Sequence, residues 1–254
     1  MSNRDLDESG FIREKLYGGK TSSFQKYAAL VTGSTSPLKV LKYELITGIL
    51  GPIPGALGLL LRKKFYPLLF KRIGKGVVFG RNVTIRHPDH IFLDDNVIID
   101  DNAFIDGRGA GEEGVTLGKE TLVGRYAVIH SKIGPISIGP HCNIGGFSNI
   151  VSQGGINIKA WVQIAGSCHI TGGLFKFNPS EKDEVPFSRY TKGKIVIEAR
   201  CYIGSGTYVL DGVTIGKGSM TGAGSIVSQN LPEYSIYIQK PGMIIGKTIL
   251  DPSQ

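Results

Sequence analysis

The chain has 254 residues, a formal net charge of +8 and 41% hydrophobic residues, which excludes a disordered polymer. Glycine, at 36 residues, is about twice as frequent as usual, yet no G-X-Y run is present, so collagen is excluded. The excess positive charge comes without a basic block interleaved with aromatics and without a finger or helix-turn-helix pattern, so nucleic acid is not an expected partner.

The first thirty residues are polar and weakly patterned, and "MSNRDLDESG" does not resemble a secretory signal. From Ser36 the character changes. Pro37 is placed to open a helix with Ser36 as its cap. Leu38, Leu41, Leu45 and Ile49 share one helical face. "GPIP" then breaks the helix, and a second apolar helix is expected from Gly55 through "RKKFYPLLFKR". The uncharged run from Leu45 to Leu61 contains two prolines, and a spanning helix needs about 20 apolar residues, so a transmembrane segment is not expected. With Lys63, Lys64, Lys71 and Arg72 beside it, segment 36–72 reads as a helical cap or subunit contact, or as a peripheral contact with the inner face of a membrane.

The remainder is a repeat of period six, matching neither strand alternation nor a helix. Inward aliphatics are expected at Ile73, Phe79 and Ile85; Leu93, Ile99 and Ile105; Leu117, Val123 and Ile129; Ile138, Ile144 and Ile150; Ile158, Ile164 and Ile170; Ile197, Ile203 and Val209; and finally Ile215, Thr221 and Val227. Small or β-branched residues follow four positions later, and glycine often follows directly. Three hexapeptides make one coil of a triangular prism, and seven triplets make about seven coils stacked roughly 4.8 Å apart. The fold class is therefore an all-β solenoid, a parallel β-helix over 73–230, preceded by a polar N-terminus and helical cap at 1–72 and followed by a tail at 231–254. Every interruption falls after the third member of a triplet, so all insertions leave one edge of the prism, where a site is expected. The longest, 171–196, carries Phe175, Phe177 and Tyr190 as candidates for contacting a substrate.

Cys142, Cys168 and Cys201 are odd in number and form no CxxC pair, which suggests small buried thiols in a reducing, cytoplasmic compartment.

The repeat, and above all "YTKGKIVIEARCYIGSGTYVLDGVTIGKGSMTGAGSIVSQNLPEYSIYIQKPGMII", resembles the hexapeptide-repeat acyltransferases, in particular those that O-acetylate sugars and polysaccharides. The resemblance implies a left-handed coil, a homotrimer with its active site between subunits, and acetyl-CoA along the closing coils. It also implies a saccharide acceptor, free or lipid-linked. The positions it carries over for the cofactor are Gly204, Gly222, Ala223 and Gly224, with Lys240 of "QKPGM" near a phosphate. The family's histidine at the start of the long loop is replaced by Phe175 in "HITGGLFKF".

Acyl transfer to a hydroxyl wants a general base near neutral pKa. His130 and His169 are the two candidates; His130 has Ser131 where an orienting acid is expected. His87 and His90 read as solvent-facing loop residues, and His141 as a structural residue at a bend. No metal site is expected, since the histidine spacings do not suit zinc. Two other readings stay open. One is N-acyl transfer to an amino-sugar nucleotide, and the other is a non-catalytic scaffold.

Overall fold

The computed structural model describes residues 22–177 and 187–239. The six-residue period forms three parallel sheets that wrap one core. The first and third sheets have seven strands each and the second has eight. Registry is that of stacked coils: Ile136 pairs with Ile156, Ile144 with Ile164, and Ile150 with Ile170. The inward aliphatics thus form three internal ladders, and Ile85, Ile105, Ile129, Ile150 and Ile170 are all fully buried. Each such side chain contributes about 1.5–3 kcal/mol of burial. The small residues four places on, among them Cys142, Ser148, Cys168 and Cys201, are buried at the bends.

The bends between the first and second faces, and between the second and third, place one residue in the left-handed region. Tyr126 (φ 59°), Phe147 (φ 61°) and Trp161 (φ 63°) hold it despite their bulk. Their exposed rings stack along the coil direction, Tyr126 on Phe147 at 4.9 Å and His141 on Trp161 at 4.2 Å. In the early coils carboxylates lock the bends. Asp95 Oδ1 accepts from the Lys75 amide and Asp101 Oδ1 from the Arg81 amide, each at 2.6 Å. Beyond Val227 the coil continues: Leu231 bridges Ile215, and Ile236–Tyr237 pairs with Met220–Thr221.

Among the described residues three helices cap the first coil. Helix α1 (Ser23–Val31) lies within the stretch expected to be weakly patterned. Ser22 accepts from the Gln25 amide at 3.2 Å while Gln25 accepts from the Ser22 amide at 2.9 Å, a reciprocal cap. Helix α2 (Pro37–Glu44) runs on through a π turn, Leu45–Ile49. Val40, Tyr43 and Ile46 are its buried side, and Tyr43 Oη donates to the Ile85 carbonyl at 2.7 Å. The expected stripe of Leu38, Leu41, Leu45 and Ile49 faces solvent instead. Helix α3 (Gly55–Phe65) is shorter than expected: Pro67 turns the chain into a 3₁₀ segment, Tyr66–Leu69. Its Arg62 is buried, donating from Nε to the Phe79 carbonyl at 3.0 Å and from Nη1 to Leu50 O at 3.1 Å and Ile53 O at 2.7 Å. One guanidinium thus satisfies carbonyls left open where α2 ends.

Candidate active site

All insertions leave the bend between the third and first faces, so they form one ridge along the prism. The residue after the third inward aliphatic of each coil stands at the foot of this ridge. Strand pairing stacks these residues as Arg86, Asp106, His130, Val151 and Thr171.

Asp106 is fully buried in that column. Its Oδ1 accepts from the Arg108 amide at 2.9 Å and lies 3.2 Å from His87 Nδ1, and its Oδ2 accepts from Arg108 Nη2 at 2.7 Å. Burial opposes ionisation, but the hydrogen bonds from His87 and Arg108 and the guanidinium charge outweigh it and hold the carboxyl at about 2. His130 Nε2 is 3.7 Å from Asp106 Oδ2, and the ring stands edge-on to Phe104 at 6.3 Å. His130 is half-buried. Desolvation lowers its pKa below the usual histidine value; Asp106 opposes this, while Arg108, Lys132 and Arg86 reinforce it. Ser131 offers His130 no carboxylate, whereas Asp106 of the preceding coil places one 3.7 Å from its ring.

His87 is buried, not solvent-facing. Its Nε2 lies 2.9 Å from the Ala29 carbonyl, and its amide donates to Val31 O at 2.8 Å, tying α1 to the column. Gly33 makes the close approach possible, since a Cβ there would meet His87 Cδ2 at 2.6 Å. His90 Nδ1 contacts the Gly111 carbonyl at 2.8 Å, and His141 at its bend lies 3.1 Å from Glu120. His169 begins a strand of the third face, with its ring stacked on Tyr208 at 4.5 Å. Through the pairings of Asn149 it lies two coils and two residues from His130, a separation on the order of 10 Å, so the two candidates do not meet.

The long insertion includes an antiparallel pair, Leu174–Phe177 with Phe187–Tyr190, in which Phe175 opposes Arg189, Phe177 opposes Phe187 and Tyr190 opposes Leu174. Buried Asp211 holds both feet of this hairpin. It accepts from the Gly173 amide at 2.7 Å, Thr191 Oγ1 at 2.9 Å and the Lys192 amide at 2.5 Å. Beside it Gln153 is buried, with Oε1 lacking a hydrogen-bond partner among the described residues. On the first face an open groove of about 300 Å³ runs between Glu113 and Lys194, floored by Thr116, Ser137 and Asn157.

In the closing coils the candidate glycines serve the coil itself. The Gly204 amide donates to Thr221 O, that of Gly222 to Tyr237 O, and that of Gly224 to Ser205 O. What Gly204 provides is room, because a Cβ would meet Thr221 O at 2.5 Å. The exposed Ala223 amide has no partner among the described residues. Lys240 lies outside the described residues.

This architecture is that of a hexapeptide-repeat solenoid whose insertions leave along one ridge. Residues 194–229 match the family profile described as bacterial transferase hexapeptide (six repeats), so the closing coils carry the repeat of those transferases. A galactoside O-acetyltransferase of Lactococcus lactis is 40% identical over 60 residues, 24% of this chain and 28% of that protein. The bifunctional protein GlmU of Nitratidesulfovibrio vulgaris is 27% identical over 136 residues, 50% of this chain and 28% of that protein. The matched stretches thus span just over a quarter of each relative's length. Among solved structures, a point mutant of AntD, an N-acyltransferase from Bacillus cereus in complex with dTDP and coenzyme A, is similar over 71% of this chain and 85% of that one, with 22% identity and a TM-score of 0.48. A maltose O-acetyltransferase from Clostridium difficile is similar over 90% and 98%, with 15% identity and a TM-score of 0.39.

Proposed function

We propose that the chain is a coenzyme A-dependent O-acetyltransferase acting on a sugar or polysaccharide precursor, with His130 as general base. The observation that carries this reading is the half-buried His130 beside ionised Asp106, on the ridge where every insertion emerges. Acetyl-CoA, when bound, supplies the activated acyl group. The exposed Ala223 amide, without a partner among the described residues, is a donor suited to a pantetheine arm along the closing coils. Lys240 is assigned to a phosphate.

With its proton on Nε2, the nitrogen 3.7 Å from Asp106 Oδ2, His130 would offer the lone pair of Nδ1 to the acceptor hydroxyl. His130 takes that proton as the oxygen attacks the thioester carbonyl, and returns it to the departing sulfur. Asp106 stabilises the imidazolium formed in between. His130 lies three coils from the closing coils, on the order of 14 Å, a span an extended pantetheine arm covers. The polar floor of Thr116, Ser137 and Asn157 suits saccharide hydroxyls, with the Phe175, Phe177 and Tyr190 hairpin beside the ring.

We assign a homotrimer. The second face exposes Ile98, Leu122, Tyr202 and Met220, which a neighbouring prism would cover. The three free buried thiols fit a cytoplasmic setting. The test is thiol release from a panel of acyl-CoA thioesters with neutral sugars, oligosaccharides and amino-sugar nucleotides as acceptors. An alkali-labile ester on a hydroxyl is expected. An alkali-stable amide assigns N-acyl transfer instead, and no transfer with any acceptor returns the chain to a scaffold.

A further inference from the structure

Helix α2 and its π-turn extension are apolar on two opposite sides. Val40, Tyr43 and Ile46 bury one side against the first coil. Leu38, Leu41, Leu45 and Ile49, spaced three, four and four apart, form a second stripe, and each is more than half exposed. The inner stripe is covered by the first coil, whereas the outer one has no covering among the described residues. On α3, Leu57 and Leu60 are likewise exposed, at 65% and 63%. Around both helices lie Gly48, Pro52, Pro54 and Ala56, also exposed and uncharged.

Charge says what covers this surface. Residues 36–72 carry seven cationic side chains against one acidic one, Glu44, so this short segment holds most of the chain's net charge of +8. Lys39 and Lys71 both lean on Asp89. Lys42, Lys63 and Lys64 are exposed beside the leucines and pair with no carboxylate among the described residues. Bare leucines with unneutralised lysines at their margin complement a hydrocarbon boundary under anionic headgroups. A protein partner with an apolar groove would not need this charge. No helix among the described residues is long and apolar enough to cross a bilayer, so the contact is one that lies in the interface plane.

We propose that the outer sides of α2 and α3 dock the protein on an anionic lipid surface, with Leu38, Leu41, Leu45, Ile49, Leu57 and Leu60 immersed and Lys42, Lys63 and Lys64 on headgroup phosphates. The solenoid then stands on the membrane by its first coil. This does not depend on the acyl-transfer reading, and its test reads no activity.

The experiment is co-sedimentation of the full chain with vesicles of phosphatidylcholine alone and of phosphatidylcholine mixed with phosphatidylglycerol. The chain pellets with the mixed vesicles and stays in solution with the neutral ones, and salt weakens the binding. Leu41→Glu and Leu60→Glu, each at an exposed position, lower the apparent affinity by roughly tenfold or more. Lys42→Ala with Lys63→Ala removes the preference for anionic vesicles. Circular dichroism confirms that the variants keep the fold. The proposal fails if the wild type ignores the anionic vesicles, or if the leucine variants bind as well as it does. It also fails if Leu41→Glu lowers the solution mass of the oligomer, which would make this face a subunit contact.

Discussion

Replacing His130 with Gln separates the chemistry of the site from its architecture. The side chain is 23% exposed, 3.7 Å from Asp106 and edge-on to Phe104. Gln fills similar space and can donate to Asp106, so stability should change by less than about 1 kcal/mol, a shift of a few degrees at most in a chain of this size. Activity should fall much further. Loss of a positioned base costs about 10²–10⁴ in rate, equivalent to roughly 3–5 kcal/mol of barrier. The pH profile makes the claim sharper. Burial and the cations Arg108, Lys132 and Arg86 hold the imidazole below its usual value, and Asp106 pulls it up. The acid limb of the rate should therefore lie below pH 6.5. Lys132→Gln should move it up, and Asp106→Asn should move it down. The assay is thiol release from acetyl-CoA between pH 5 and 8 with the best acceptor of the panel, and His169→Gln serves as control, losing less than about tenfold. The reasoning is refuted if His130→Gln keeps wild-type rates, if His169→Gln is the variant that fails, or if the two limb shifts share a sign.

Asp106 also links stability to acid. Its folded value of about 2 lies below an unfolded value near 4, so its contribution, about 2 kcal/mol, is fully present above pH 4. That contribution is lost as pH falls through about 2; urea melts of Asp106→Asn against wild type should show the difference narrowing over that window. Arg62→Leu should destabilise by about 3 kcal/mol or more, because buried carbonyls of Leu50, Ile53 and Phe79 lose their donor, and the thermal midpoint reads it directly. Asp211→Ala should leave the coils intact while freeing both feet of the hairpin, and limited proteolysis should then cut within 171–196 faster than in the wild type.

The coil was legible because a ladder of buried aliphatics needs one residue type at a fixed interval, and Ile129, Ile150 and Ile170 announce that interval without reference to anything distant. The ridge followed from where the interval fails. The pairing of Asp106 with His130 was legible too, by laying triplet over triplet: each directly follows the third aliphatic of its coil, so stacking Ile105 on Ile129 makes them neighbours. Reading His130 only against Ser131 hid that. His87 was misplaced because an insertion looks polar and exposed in sequence, whereas a short helix from elsewhere, α1, closes over it. The sequence signal for α1 was Ser22 followed by Gln25 at capping distance. The outward stripe of α2 was not legible, because Val40, Tyr43 and Ile46 are as apolar as Leu38, Leu41 and Leu45. Only docking on the first coil decides which set is buried.

The proposed activity requires an acyl-thioester carrier lying along the closing coils. Calorimetric titration of coenzyme A into the full chain tests this most directly. Saturable binding of one molecule per chain, weakened by Ala223→Pro through loss of its amide donor, is the predicted result. No heat of binding at millimolar coenzyme A, in a chain whose fold is intact, would contradict it.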